Sequence, residues 1–305
     1  MTLISTKFNY LSMMLAVMLL VGCASGPKPM MPADAVPVLQ GEPKKPLRIG
    51  LALGGGAARG FAHIGVIQVL EEAGIHPSLV VGTSAGSLVA AIYASGKTGI
   101  QLQKVAETME EATFTDWTLP IFSRGMLRGE ALARYVSVQV NGRLIENMPL
   151  LLGIVATDLN SGQGVLFQRG DVATAVRASS AVPALFQPVK IAGHEYVDGG
   201  LVSPVPVRYA RQMGAELIIA VDISSAPEAN AASDTLQILM QTFSIMSKSI
   251  NNYELREADV VVRPALIGVG SSDFGARRRA IQAGRVAMQA LLPQLRLSMN
   301  GQKQP

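Results

Sequence analysis

The segment Gly82-Thr83-Ser84-Ala85-Gly86 sets a serine between two glycines, directly after the apolar run Leu79-Val80-Val81. The spacing fits G-x-S-x-G, in which a strand turns sharply into a helix and the serine hydroxyl is pushed out of the sheet. Gly82 and Gly86 leave room for the strained backbone such a turn requires. "PSLVV" upstream reads as a short buried strand, and "AGSLVAAIYASG" downstream reads as a helix closed by Gly96. A serine held this way can act as the nucleophile of acyl transfer.

Such a serine needs a proton acceptor, most often histidine. The chain has three histidines, and His63 and His76 both precede Ser84. His63 falls in the first predicted helix and reads as a packed residue. Only His194 completes a serine–acid–histidine order. In "GHEYVDGG", however, a strand over 194–197 carries Asp198 about 13 Å beyond His194, at about 3.3 Å per residue. Both cannot sit against Ser84. Asp198 opens a turn with Gly199 and Gly200, which allows its carboxylate to approach a neighbouring loop. A plain Asp-Gly hairpin turn fits the same letters, so both readings stay open from position alone.

The block "GGGAARG", Gly54 to Gly60, lacks the lysine of a phosphate-binding P-loop. It also misses the G-x-G-x-x-G spacing of a dinucleotide site, and no carboxylate closes the second strand. Backbone N–H groups at a strand-to-helix turn do suit a developing oxyanion. In a parallel sheet the first two strands end on one edge, so this block and Ser84 face one crevice. Arg59 is open between positioning the loop, binding a phosphate and lying on the helix surface.

The elements that must hold these residues alternate. Strands are predicted at 47–53, 150–157, 194–197, 217–222 and 259–262, besides the one before Ser84. Helices are predicted after the glycine block, after Ser84, and near 100–111, 129–139, 171–180, 234–256 and 276–299. This alternation gives a three-layer α/β fold with a mainly parallel central sheet, as one domain over 47–300. The basic, amphipathic stretch 274–297 carries Ile281, Met288, Leu292 and Leu295, which are expected to pack on the sheet. A membrane-facing role for it stays open.

A net charge of +4 over 305 residues, with 16% charged residues, gives no basis for a nucleic-acid partner. Before the domain, "FNYLSMMLAVMLLVG" follows Lys7 and is shorter than a membrane-spanning helix needs. Leu20-Val21-Gly22-Cys23 resembles a bacterial lipobox, with a signal peptide over 1–22 and Cys23, the single cysteine, as the lipidated residue. A short uncleaved anchor with an incidental cysteine is the competing reading. Ala24 in the next position points, by the same resemblance, to the outer membrane facing the periplasm. Residues 23–46 hold six prolines and read as an extended tether.

Taken together, "GLALGGGAARGFAHIGVIQVLEEAGI", "VVGTSAGSLVAAIYASG", "GMLRGEAL", "ATDLNSG", "AVRASSAVPALFQPV" and "YVDGGLVSPVPV" resemble the patatin-like phospholipase family. The bacterial branch related to neuropathy target esterase is the most similar. The resemblance covers about 48–208 and weakens toward 296. It implies a patatin-like fold and a Ser–Asp dyad without histidine, with Ser84 as nucleophile and Asp198 of the D-G-G motif as base. It further implies an oxyanion loop over Gly55, Gly56, Ala57, Arg59 and Gly60, with Gly55 to Ala57 donating. The chain departs from the plant pattern D-G-G-G-x-R-G at Gly54 and Ala57. No metal or organic cofactor is implied. The expected activity is lipid acyl hydrolysis through an acyl-enzyme, acting on a phospholipid, lysophospholipid or carboxylic ester. Acyl transfer at the same site, or a non-catalytic lipid-binding envelope protein, are the alternatives.

Overall fold

In a computed structural model of the chain, residues 46–110, 115–116, 124–224 and 234–301 are described below. The predicted signal peptide, Cys23 and all but the last residue of the predicted tether lie outside them. Residues 46–305 form one unit.

The chain begins with β1 (Ile49–Leu53), then α1 (Phe61–Glu72), β2 (Leu79–Thr83), α2 (Ala85–Ala94) and α3 (Gly99–Glu107). Next come β3 (Gly125–Leu127), α4 (Glu130–Gln139), β4 (Leu151–Asp158), β5 (Gly164–Phe167) and α5 (Val172–Ser179). They are followed by β6 (Ala184–Phe186), β7 (Val189–Ile191), β8 (His194–Asp198), α6 (Val207–Gln212) and β9 (Leu217–Val221). The last three are α7 (Thr235–Glu254), β10 (Val260–Val262) and α8 (Arg277–Gly301). The main sheet runs β10-β9-β1-β2-β4-β8-β7, with β5 on β4; β3 and β6 make a separate two-stranded sheet.

Strands β10, β9, β1, β2 and β4 are parallel, while β5 and β8 pair antiparallel with β4 and β7 pairs antiparallel with β8. The parallel strands are buried on both faces, which is why they read as continuous apolar runs. Leu51, Leu53, Ile219 and Val221 pack toward α1, α2 and α8, and Ala52, Ile218 and Ala220 toward α6. The architecture is the expected three-layer α/β fold with a mostly parallel sheet.

The basic helix α8 buries Ile281, Met288 and Leu295, with Leu292 half-buried against the same core. It crosses α1 closely through Gly65 and Gly284: a Cβ on either would collide with a backbone carbonyl, of Ile281 or Ala62 respectively. The correction to the sequence expectation is that α8 rests chiefly on α1 and only partly on the sheet.

Candidate active site

β2 delivers Ser84 to the carboxyl edge of the sheet. The strand ends at Thr83, α2 begins at Ala85, and Ser84 between them has φ 53° and ψ −125°. This conformation is costly for a residue with a Cβ and persists only where its surroundings impose it. The imposing contacts are specific. A Cβ on Gly82 would collide with the Gly86 carbonyl, and one on Gly86 with the carbonyl of Leu53 at the end of β1. Ser84 N–H donates to Ser179 Oγ at 2.8 Å, and Ser179 Oγ–H donates to Val155 O at 2.6 Å. Ser87 Oγ–H donates to Ser84 O at 2.6 Å, and Thr83 Oγ1–H to Ser203 O at 2.8 Å. The elbow is therefore tied to α5, to β4 and to the segment after the D-G-G motif.

β8 brings Asp198 to the same place. Thr83 pairs with Val155 of β4, and Asp198 pairs with Ala156, one residue further on. β5 occupies the opposite edge of β4 at these residues, so β8 continues the line of β2 and meets it end to end. Gly199 permits the approach, since a Cβ there would collide with Val155 O and lie 3.1 Å from Thr83 Cγ2. Thr157 Oγ1–H donates to Asp198 O at 2.8 Å and fixes the strand end.

The Asp198 side chain is buried. Oδ1 accepts the Gly200 N–H at 2.7 Å, while Oδ2 is buried and has no hydrogen-bond partner of good geometry among the described residues. Burial pushes the carboxyl up to about 6, against smaller opposing effects of the Ser84 hydroxyl and the Gly200 N–H. Ser84 is thus close enough to be felt by Asp198, in the loose geometry common before a substrate tightens the site.

The histidines are elsewhere. His194 is 58% exposed at the start of β8, and its Nδ1 lies 2.8 Å from Asp158 Oδ2. His63 is fully buried in α1, and its Nε2–H donates to Gly54 O at 2.8 Å. Burial holds its pKa down to about 4, so the ring is neutral and serves to anchor the glycine-rich loop.

In that loop Gly55 N–H donates to Pro204 O at 2.9 Å. Its expected role as an oxyanion donor is thereby corrected: the hydrogen is already used. Gly55 is needed for space, because a Cβ there would sit 3.2 Å from Ser84 Cβ. Ala57, with φ 51°, takes a conformation more usual for glycine. Among the described residues the N–H groups of Gly56, Ala57 and Ala85 donate to nothing. Ala57 and Ala85 also line the cavity that Ser84 opens into. Ala85, the residue after the serine, was not singled out from sequence, although its position in the elbow was the available signal. Gly60 packs against Ala85, and Arg59 lines a different cavity.

The cavity beside Ser84 measures about 300 Å³ and is almost wholly apolar. Leu88 and Ile92, one and two turns along α2 from Ser84, form part of its wall with Phe61, Val105, Leu132 and Phe186. A hydroxyl with a buried carboxylate behind it, N–H donors beside it and an alkyl-sized space in front suits attack on an acyl ester. Ser179, Thr157 and Thr83, which hold this geometry, carry no signature in the sequence beyond being small hydroxyl residues in apolar runs.

The patatin-like phospholipase profile matches residues 51–211. An uncharacterized NTE family protein of Mycobacterium tuberculosis is 37% identical over 205 residues, covering 67% of this chain and 56% of that protein. The Patatin-like phospholipase domain-containing protein 6 of Mus musculus is 36% identical over 188 residues, covering 59% of this chain and 14% of that protein. The chain thus spans about half the length of the mycobacterial relatives, 56% of some and 46% of others. The crystal structure of VipD from Legionella pneumophila superimposes with a TM-score of 0.55 at 16% identity, covering 81% of this chain and 67% of that one. Sequence and fold agree, and the chain belongs to the patatin-like phospholipase family.

Proposed function

We propose that the protein is a lipid acyl hydrolase that uses a Ser84–Asp198 dyad and an acyl-enzyme intermediate. One observation carries the proposal: a serine held at positive φ lies between a buried carboxylate of raised pKa and an apolar cavity of about 300 Å³. Asp198 accepts the Ser84 proton as Oγ attacks the ester carbonyl. The N–H groups of Ala57 and Ala85 receive the oxyanion. On collapse, Asp198 returns the proton to the departing alcohol and the acyl group remains on Ser84. Water, deprotonated by the same carboxylate, then releases the fatty acid and regenerates the serine. The acyl chain occupies the cavity along α2, where its apolar surface leaves water. Family membership and the NTE-type relatives support an ester of this class as substrate.

We further propose that the chain is carried to its substrate by a lipid on Cys23, through the proline-rich tether, at the outer membrane facing the periplasm. The support is the Leu20-Val21-Gly22-Cys23 sequence followed by Ala24. Metabolic palmitate labelling of wild type and Cys23→Ser tests it: label is expected only in the wild type, and label in both contradicts it.

For the activity, the test is hydrolysis of a panel of phospholipids, lysophospholipids and neutral acyl esters by wild type and Ser84→Ala. Free fatty acid from at least one class, lost in Ser84→Ala, supports the proposal. Acyl chains bound without turnover of any ester would instead favour a lipid-binding role.

A further inference from the structure

A second cavity, about 570 Å³, lies over the carboxyl ends of β9 and β10, with charged and amide side chains on one part of its wall and apolar residues such as Leu266 and Val269 on the rest. Its position follows from the topology. From β1 the chain proceeds to β2 and β4 on one side, then returns to β9 and β10 on the other. The boundary between β1 and β9 is therefore a point where the strand order reverses, the place where open parallel sheets form a ligand crevice. Arg59 after β1, Asp222 and Ser224 after β9, and Arg263 after β10 all line it, and Lys248 and Asn251 of α7 close it.

We propose that this cavity binds a phosphate ester carrying a hydroxyl group, of the glycerol phosphate type. The lining brings Arg59, Lys248 and Arg263 against a single carboxylate. That carboxylate is engaged: Asp222 Oδ1 accepts from Ser224 N at 3.1 Å and Ser224 Oγ at 2.7 Å, and Oδ2 faces Arg263 Nε at 3.4 Å. The balance favours an anion. Asn251 is only 3% exposed, yet neither its Oδ1 nor its Nδ2 has a partner among the described residues. An unsatisfied buried amide is costly, and each of its two ends asks for a different group. Nδ2 needs an acceptor, which phosphate oxygens supply; Oδ1 needs a donor, which a hydroxyl supplies. The volume also exceeds what a bare phosphate fills.

The two cavities share a wall. Ala58 lines the first and Arg59 the second, Ser271 the first and Gly270 the second, and Ala58 N–H donates to Ser271 O at 3.0 Å. A ligand drawn to Arg59 therefore acts on the loop that carries Ala57.

The site does not depend on the hydrolase proposal, because binding can be read without turnover. Calorimetric titration of full-length Ser84→Ala with glycerol 3-phosphate, inorganic phosphate and glycerol is the test. Saturable binding of glycerol 3-phosphate, weaker binding of phosphate and none of glycerol is expected. Lys248→Glu, an exposed position that should leave the melting temperature unchanged, is expected to weaken glycerol 3-phosphate on the order of 10-fold or more. Turnover then separates the sources of the phosphate. A raised KM for phospholipid but not for a neutral ester in Lys248→Glu assigns the cavity to a substrate headgroup. A neutral-ester rate that responds to free glycerol 3-phosphate in wild type only assigns it to a separate ligand. Absence of saturable binding, or binding unchanged in Lys248→Glu, overturns the proposal.

Discussion

Ser84 and Asp198 terminate two strands that meet end to end on one edge of β4, Ser84 after a strand parallel to it and Asp198 on a strand antiparallel to it. The adjacency is a property of the sheet ladder: Val155 pairs with Thr83, and Ala156 pairs with Asp198. Two backbone ladders on one rigid strand position both groups, so neither relies on a mobile loop.

The strain at Ser84 predicts a separation of stability from activity. Ser84→Gly relaxes a residue at φ 53° and is expected to stabilise the fold by about 1 kcal/mol, net of the glycine's greater unfolded-state freedom. Ser84→Ala keeps the strain and should leave stability near wild type. Both are expected to be inactive. Urea unfolding at equal m-values checks this, and a Ser84→Gly protein less stable than Ser84→Ala contradicts it.

Asp198 predicts opposite pH responses for rate and stability. The proposed base must be ionised before substrate binds, so with Asp198 in that role kcat/KM should fall as pH drops through about 6. Burial raises the folded value above the ordinary aspartate value of about 3.8, so its contribution to stability is fully present below about 3.8 and is lost as pH rises through about 6. Asp198→Asn removes the buried charge and should be the more stable protein at pH 8, by up to about 3 kcal/mol. The difference should vanish near pH 4. Thermal melts across that range decide it, and an Asn variant less stable at pH 8 refutes the account of burial.

Ser179 is expected to act as a positioning residue. Ser179→Ala leaves Ser84 N–H without its acceptor and Val155 O without that donor, costing about 1–3 kcal/mol of stability. If the elbow shifts as a result, kcat should fall on the order of 10-fold or more with KM little changed. A variant destabilised but with full kcat limits Ser179 to a structural part.

Leu88 stands one turn from Ser84 on the cavity wall. Leu88→Trp should shorten the preferred acyl chain, with short esters still hydrolysed and long ones lost. A chain-length profile on matched esters measures this. An unchanged profile places the acyl chain outside this cavity.

Much of this was legible in the sequence, and the reasons are physical. The apolar runs of β1, β2, β4 and β9 are buried on both faces and have few other readings, and the glycines of G-x-S-x-G mark a close approach that the structure shows between Gly82 and Gly86. The short strands β3, β5, β6 and β7 and the helix α6 escaped notice because none is long enough to display a period. That the Gly55 N–H is occupied is invisible in the sequence, since its acceptor, Pro204 O, is distant along the chain. Ser179 escaped for the same reason. Its value lies in two backbone groups that only the folded sheet brings to it.

The central claim is that Ser84 is activated by Asp198 without histidine. The most direct measurement is the rate at which a fluorophosphonate forms a covalent adduct, read by intact mass on folded wild type, Ser84→Ala, Asp198→Asn and His194→Ala. The account predicts no adduct on Ser84→Ala, a rate lower on the order of 10² to 10⁴ for Asp198→Asn, and a near wild-type rate for His194→Ala. An adduct that persists in Ser84→Ala, or a His194→Ala protein that is dead while Asp198→Asn still reacts, would contradict it.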